Sequence, residues 1–117
     1  MALKELSKEE CLLAGNAACA GCAASLSIRL TYKVLGPRTV FIVPACCTTV
    51  IESPFPFTSF ASPLLNVAFE TTAAVASGLV AALKRRKVKD VNVIGWAGDG
   101  GTADIGIQAL SGAAERD

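Results

Sequence analysis

Histidine is absent from the sequence, and tryptophan and tyrosine occur once each among 117 residues. The chain therefore offers no imidazole for general acid–base catalysis or for metal ligation. Neither sign of charge is in excess, because 11 basic and 10 acidic residues leave a formal net charge of +1. Nucleic acid and acidic membrane surfaces are consequently not expected as main partners, since both attract strongly basic proteins.

The sequence also lacks a long apolar helix and a signal peptide. Its longest charge-free stretches, residues 11–28 and 53–69, are interrupted by glycines or prolines, which disfavour a membrane helix. The first residues of the chain are charged and contain no apolar core of the kind that a signal peptide needs. We therefore predict a cytoplasmic protein without membrane contact, in which the cysteines remain reduced.

Apolar residues, in contrast, are abundant: 52% of the sequence is hydrophobic and the mean hydropathy is +0.49. A chain of this length forms a single domain, predicted here over residues 1–117. So small a domain cannot bury that much apolar surface within itself. We therefore expect it to pack against partner subunits.

Two helices are predicted in the first third of the chain. Ser7 and Glu10 have the spacing of a capping box, which predicts a short helix over residues 7–13. A second helix is predicted over residues 23–35, because a Gly-Pro pair follows it. Its predicted apolar face consists of residues that recur every four positions, namely Leu26, Leu30 and Val34.

The rest of the chain predicts an α/β fold. The β-branched run 39–43 is typical of a buried parallel strand, and residues 91–94 form a second such run. The longest predicted helix, residues 65–86, would connect the two strands as a right-handed crossover. We therefore predict a parallel sheet with flanking helices. Loops 44–47 and 95–101 would then emerge at its carboxyl edge, where open α/β folds bind ligands.

A proline-broken but aromatic segment, residues 52–63, lies between the predicted strands. Its prolines disfavour a helix, and its phenylalanines are not typical of a solvated linker. We predict an ordered functional loop that packs against another surface.

A glycine-rich stretch, residues 95–104, follows the second predicted strand and precedes a helix-like run over residues 105–115. Such a turn allows backbone to approach a ligand closely, and Asp99 between its glycines could hold a divalent metal that bridges to a phosphate. The alternative is that Asp99 and Gly100 form only a tight turn. A dinucleotide fingerprint is not present, because Ala103 stands at its third glycine, and no Gly-Lys-Ser/Thr of a P-loop follows.

Clustering of the five cysteines indicates a metal site before a disulfide. Cys19 and Cys22 precede a helix rather than follow a strand, which disfavours a thioredoxin-like dithiol. Zinc would need four ligands, and adjacent cysteines such as those at 46 and 47 rarely bind one tetrahedral ion together. An iron–sulfur cluster suits the first pair, one cysteine of the second pair and a fourth thiolate from elsewhere. Cys11 is interpreted as a packed apolar residue.

Three segments together carry a family resemblance. They are Cys19-Ala20-Gly21-Cys22, Asn66-Val67-Ala68-Phe69-Glu70, and the run from Gly98-Asp99-Gly100 through residue 116. The last begins like the Gly-Asp-Gly motif of thiamine-diphosphate enzymes. From Leu12 onward the chain resembles the β subunit of the 2-oxoacid:ferredoxin oxidoreductases, and the pyruvate branch in particular.

The resemblance implies a thiamine-diphosphate-binding fold and three cofactors: thiamine diphosphate, Mg²⁺ and a [4Fe–4S] cluster. Asp99 would be a Mg²⁺ ligand. The diphosphate would lie against Gly98, Gly100, Gly101 and a helix start at Thr102. The cluster would take three thiolates from this chain: Cys19, Cys22 and Cys47.

The implied activity is the oxidative decarboxylation of pyruvate with coenzyme A, with electrons passing through the cluster to ferredoxin. The remaining subunits of a hetero-oligomer would be partners, and one of them would supply the catalytic base. Glu70 is an alternative base, but its place in the predicted long helix favours a structural or interface role.

Departures from the family pattern leave two further hypotheses. The family usually has Asn-Ala-Thr-Gly-Cys where this chain has residues 43–47, which places Cys46 on the glycine and Cys47 on the ligand. Because that loop would lie beside the thiazolium, an oxalate oxidoreductase that needs no coenzyme A is the first alternative. A structural iron–sulfur or zinc module without thiamine chemistry is the second. The motif's Mg²⁺-binding Asn and the fourth cluster cysteine would lie beyond Asp117, so we expect the front part of a longer subunit.

Overall fold

A parallel sheet of three strands lies at the centre of the computed structural model, which describes residues 6–116. The strands are β1 (Thr39–Pro44), β2 (Leu64–Val67) and β3 (Asn92–Gly95), in the order β2-β1-β3. Their helices are α1 (Ala23–Leu35), α2 (Cys47–Glu52), α3 (Thr72–Arg85), α4 (Asp99–Ala103) and α5 (Ile107–Glu115). The predicted α/β class, a parallel sheet with flanking helices, is confirmed.

Strand β1 is the centre of the core. It pairs in parallel with β2 on one side and with β3 on the other, so that Phe41 lies opposite both Leu64 and Ile94. Phe41, Ile42 and Val43 are completely buried. A strand that is covered on both faces and paired on both edges requires an unbroken apolar run, which is the pattern that predicted this strand.

Helix α1 has the predicted bounds but buries a different face. It ends where Gly36 takes a φ of 82° and donates its N–H to the carbonyl of Tyr32. Ile28 and Tyr32 face the core, whereas the predicted apolar face is exposed, by 53%, 42% and 58% at Leu26, Leu30 and Val34. Both sets recur every four residues, so periodicity could not decide which one faces the sheet.

The predicted helix over residues 7–13 is wrong. The segment is extended there, and Leu12 forms an antiparallel bridge with Phe60. The N–H of Leu13 donates to the carbonyl of Ser59 at 2.8 Å. Pairing with the distant loop satisfies backbone groups that a short helix would have satisfied locally.

The predicted helix over residues 65–86 begins too early. Leu64–Val67 forms β2, and a turn closed by the N–H of Thr71 on the carbonyl of Ala68 separates it from α3. Without β2, one edge of the buried β1 would have unpaired backbone groups. Tertiary pairing therefore overrides the helical propensity of these residues. The crossover through α3 therefore connects β2 to β3, and β1 lies between these two strands in the sheet.

The segment over residues 53–63 is ordered, as predicted. The N–H of Phe57 donates to the carbonyl of Pro54 at 2.8 Å, and the buried Ser59 donates its N–H to the carbonyl of Glu52 at 2.7 Å. Phe60 packs edge-on against Phe41, with ring centroids 5.3 Å apart. Phe55 and Phe57 remain 91% and 76% exposed. A surface that covers these two rings therefore stays a prediction.

The N-terminal segment is held against α1 by an ion pair. The carboxylate of Glu10 lies 2.9 Å from Arg29 and 2.8 Å from Lys33, and these hydrogen bonds lower the pKa of Glu10 to about 2. Because Glu10 and Arg29 are largely exposed, solvent screens the pair, and it contributes little to stability. Among residues 6–116, no helix is long and apolar enough to cross a membrane.

A buried carboxyl group, that of Glu52, lies at the end of α2. Only 2% of this residue is exposed, and its Oε2 has no hydrogen-bond partner among the described residues. Burial raises the pKa of Glu52, and a hydrogen bond with Asn66 opposes that shift. The folded chain therefore holds a proton on Glu52 at pH values where the unfolded chain has lost it.

A Glu52→Gln substitution should flatten the dependence of stability on pH. A raised carboxyl pKa contributes stability that is complete below the unfolded value of about 4.5 and is lost as pH rises toward the folded value. Glutamine has no such proton to lose, so the variant should be more stable than the wild type at pH 8. Urea unfolding from pH 4.5 to 8 measures this, with the exposed Glu9→Gln as control. Equal pH slopes for wild type and Glu52→Gln would contradict the prediction.

Candidate functional site

One cavity of about 470 Å³ lies at the carboxyl edge of the sheet, where all three strands end. The segment after β1, the residue Phe69 after β2 and the glycine turn after β3 all border it. Helix α1 closes one side. The lining residues are Ala24, Ser27, Ala45, Cys46, Cys47, Thr48, Phe69, Trp96, Ala97, Gly98, Asp99 and Gly100. The prediction that loops 44–47 and 95–101 meet at one edge is confirmed.

The glycine turn leads directly into a helix. Gly98 precedes α4, which begins at Asp99, three residues earlier than the helix start predicted at Thr102. Asp99 is thus an exposed carboxylate in the first helical turn, so that Asp99 and Gly100 do not form an isolated tight turn. That these residues bind a ligand stays a prediction. The hydroxyl of Thr102 donates to the carbonyl of Gly98 at 2.7 Å and holds the turn closed.

Three glycines of this region are required by close packing. A Cβ at Gly100 would lie 3.0 Å from the ring of Phe69, and one at Gly101 would lie 3.2 Å from the carbonyl oxygen of Phe69. A Cβ at Gly106 would overlap the carbonyl of Gly101, which packs α4 against the start of α5. Gly98 and Gly100 therefore give this wall of the cavity bare backbone on either side of Asp99, whereas Gly101 and Gly106 do not line it.

The two adjacent cysteines have different surroundings. Thr49 fixes the backbone of Cys46, because its Oγ1 accepts the N–H of Cys46 at 3.4 Å and donates to the carbonyl of Pro44 at 2.8 Å. Cys46 is half-buried and packs against the core, whereas Cys47 is exposed at the first residue of α2. Cys47 is therefore the more accessible of the two thiols at the cavity.

The other cysteine pair lies at the start of α1. The N–H of Cys22 donates to the carbonyl of Cys19 at 3.1 Å, and Cys22 is the residue that precedes the helix. Cys19 is exposed and Cys22 half-buried. Within residues 6–116, no three Cys, Asp or Glu side chains already lie close enough together to hold one metal ion. The three predicted cluster ligands therefore remain predictions.

Cys11 belongs to the core, as predicted. It is completely buried, and burial raises the pKa of its thiol to about 11. A thiol that is both inaccessible and hard to ionise is not a metal ligand, because ligation requires the thiolate.

Sequence reasoning gave no role in the site to Phe69, Trp96, Ala24 and Ser27, although all four border the cavity. The sequence predicts a helix over residues 65–86, so it does not indicate that Phe69 lies just after the end of a strand. Trp96 lies directly after β3, so its position beyond a parallel strand could have been used to find it.

A larger cavity of about 770 Å³ lies between α3 and α5, away from the thiols and Asp99. Mostly small or apolar residues line it, with Lys84 and Arg116 as its charged members. Gly101 and Thr102, two of the residues predicted to bind the diphosphate, border this larger cavity and not the smaller one. No cysteine and no acidic residue lines it, so the smaller cavity is the candidate site.

Relatives of known name support the sequence-based family. The chain is 53% identical over 113 residues to ketoisovalerate oxidoreductase subunit VorB of Pyrococcus furiosus, covering 92% of the chain and 36% of that protein. It is 53% identical over 112 residues to pyruvate synthase subunit PorB of Methanothermobacter thermautotrophicus, covering 96% of the chain and 39% of the relative. No protein-family model matches it. The chain thus spans little more than a third of the length of these relatives.

A Gly106→Ala substitution should destabilise the fold strongly, because the added methyl would overlap the carbonyl of Gly101. Relief requires α5 to move away from α4, and overpacking of this kind costs about 1–3 kcal/mol or more. Gly78→Ala on α3, where an added Cβ meets nothing within 4 Å, is the matched control. Thermal unfolding of both variants measures the difference. A Gly106→Ala chain that is as stable as the control would disprove the close packing.

Proposed function

Because the chain belongs to the β-subunit family of the 2-oxoacid:ferredoxin oxidoreductases, we propose that it forms part of the thiamine-diphosphate site of such an enzyme. The enzyme would oxidatively decarboxylate a 2-oxoacid, pass the acyl group to coenzyme A and reduce ferredoxin. The observation that carries the proposal is the shared cavity. A carboxylate on a glycine turn and the thiol of Cys47 border the same space, so a cofactor and its electron acceptor would be neighbours.

The residues at the turn fit the proposed cofactor. The cavity of about 470 Å³ is within the usual range for a small-molecule site, about 300–1,000 Å³. Asp99 offers the oxygen ligand that Mg²⁺ prefers. Gly98 and Gly100 border the cavity with bare backbone that would lie against a diphosphate, and Thr102 fixes the turn through its hydrogen bond to Gly98. Gly101 is kept as the third such glycine by the family resemblance alone, because it borders the larger cavity. Bound thiamine diphosphate would supply the electron sink for decarboxylation, and these residues would bind and orient it.

The cysteines fit a [4Fe–4S] cluster by their chemistry. Cys47 is exposed at the cavity, and α1, which begins directly after Cys22, contributes Ala24 and Ser27 to the same cavity. Thiolates are the usual ligands of such clusters. We assign Cys19, Cys22 and Cys47 as three ligands and expect the fourth from outside residues 6–116. Cys46 is not assigned, because the family resemblance places its neighbour Cys47 at the ligand position and Cys47 is the more exposed of the two thiols.

The proposed partners are the other subunits of the oxidoreductase, with ferredoxin as electron acceptor. Apolar side chains that remain exposed support subunit contacts, above all Phe55 and Phe57 and the stripe Leu26, Leu30 and Val34 on α1. We expect a partner chain to supply the catalytic base. Glu70 lies in the turn before α3 rather than in a helix, but it does not border the cavity. A cytoplasmic location remains a prediction.

The substrate is proposed to be pyruvate. Similarity does not separate the candidates, because the relatives named for ketoisovalerate and for pyruvate reach the same 53% identity. Both names denote oxidation or synthesis of a 2-oxoacid, which favours this class over oxalate. The oxalate alternative rests only on the unusual sequence of residues 43–47.

The complex that contains this chain, purified under argon, should contain thiamine diphosphate and about four iron and four sulfide per [4Fe–4S] cluster. It should reduce viologen with pyruvate and coenzyme A. Parallel assays with 2-oxoisovalerate plus coenzyme A and with oxalate alone identify the substrate class. Zinc in place of iron, with no thiamine diphosphate, would instead establish the structural-module hypothesis.

Cys47→Ala should abolish this cluster, while Cys46→Ala should retain it. The reason is that Cys47 is the exposed thiol and has the ligand position of the family pattern, whereas Cys46 is half-buried and stands at the glycine of that pattern. Iron content and the visible absorption of the two complexes measure the outcome. Loss of the cluster from Cys46→Ala alone would show that the assignment of the adjacent thiols is reversed.

A further inference from the structure

The ring of Phe69 lies directly on the glycine turn of the candidate site. Its Cζ is the nearest atom to a Cβ built at Gly100, at 3.0 Å, and its Cε2 lies 3.5 Å from one built at Gly101. The first distance is tight, so that a methyl group at Gly100 would require the ring to move, whereas the second is an ordinary van der Waals contact. Phe69 also borders the cavity and is 39% exposed, so it is not an ordinary core residue.

The backbone of Phe69 is fixed by its place in the fold. It follows β2 and lies in the turn that Thr71 closes, where both the N–H and the Oγ1 of Thr71 donate to the carbonyl of Ala68 at 3.0 Å. A Cβ built at Gly101 would lie 3.2 Å from the carbonyl oxygen of Phe69. The β2–α3 turn therefore supports the glycine turn with both main chain and side chain.

Gly98 shows that this support is local. A Cβ built there would meet only the Cβ of Cys46, at 3.9 Å, which is an ordinary contact. The turn is thus restrained by Phe69 at Gly100 and Gly101, and Gly98, Asp99 and Gly100 border the cavity. Contact with a rigid aromatic ring would add to the restraint that the Thr102 hydroxyl gives this glycine-rich segment.

We propose that Phe69 is a positioning residue for the site: its ring holds Gly100 and Gly101 in place and so directs Asp99 toward the ligand. The identity of that ligand, thiamine diphosphate with Mg²⁺, rests on the proposed function. The support of the turn by Phe69 does not, because it follows from packing alone. A residue that orients a ligating group typically changes affinity by about 10- to 100-fold when it is removed.

The test is a paired substitution in the complex. Gly100→Ala should weaken binding of thiamine diphosphate at saturating Mg²⁺ by about 10- to 100-fold, measured by titration calorimetry of the cofactor-free complex. Phe69→Leu, which lacks the Cζ atom, should recover most of that loss when combined with Gly100→Ala. Such non-additivity is expected only of residues in contact. Losses that simply add, or a Gly100→Ala complex that binds like the wild type, would overturn the proposal.

A second measurement is independent of the cofactor. Phe69→Ala should increase amide hydrogen exchange in residues 98–102, because the turn loses its support, while Gly78→Ala should not. Unchanged exchange in Phe69→Ala would reject the positioning role. A wild-type complex that binds no thiamine diphosphate but shows the increased exchange in Phe69→Ala would reject the proposed function and keep the role of Phe69.

Discussion

Parallel pairing on both edges of β1 is the constraint on which the structure depends. Because β2 and β3 run in the same direction as β1, all three strands end at one edge, and the segments that follow them meet there. The cavity is a direct result, since each strand end contributes one wall: the cysteines after β1, Phe69 after β2 and the glycine turn after β3. The buried run Phe41–Val43 is therefore a condition for the site as well as for the core.

The site combines bare backbone with a few reactive groups. Glycines let the turn after β3 approach a ligand closely, and the same lack of side chains leaves Gly100 and Gly101 without side-chain contacts of their own. A neighbouring aromatic residue and one hydroxyl-to-carbonyl bond supply the restraint. At the cysteine segment, the hydroxyl of Thr49 restrains the main chain through its hydrogen bonds with the backbone of Cys46 and Pro44. Reactive groups are thus left accessible, while the main chain that carries them is held.

The surface has exposed apolar residues, which support the proposed contacts with partner subunits. The described residues leave two phenylalanines of the proline-broken loop, a leucine–valine stripe on α1 and an apolar groove between α3 and α5 uncovered. The chain spans little more than a third of the length of its named relatives. The abundance of apolar residues in the sequence is consistent with these surfaces.

Sequence alone determined the elements whose signals lie within the element itself or directly beside it. The unbroken apolar run of β1, the bounds of α1 set by Gly36, and the glycine stretch after β3 could each be predicted, and their motifs identified the family. Tertiary structure decided the rest. Leu64–Val67 forms a strand because its pairing satisfies the backbone groups on one edge of β1. Residues 7–13 do not form a helix because their backbone pairs with that of the 53–63 loop. Tertiary structure also decided which stripe of α1 faces the core and placed Phe69 on the glycine turn. None of these contacts has a local signal, because each depends on which distant surface is available to satisfy hydrogen bonds or exclude water.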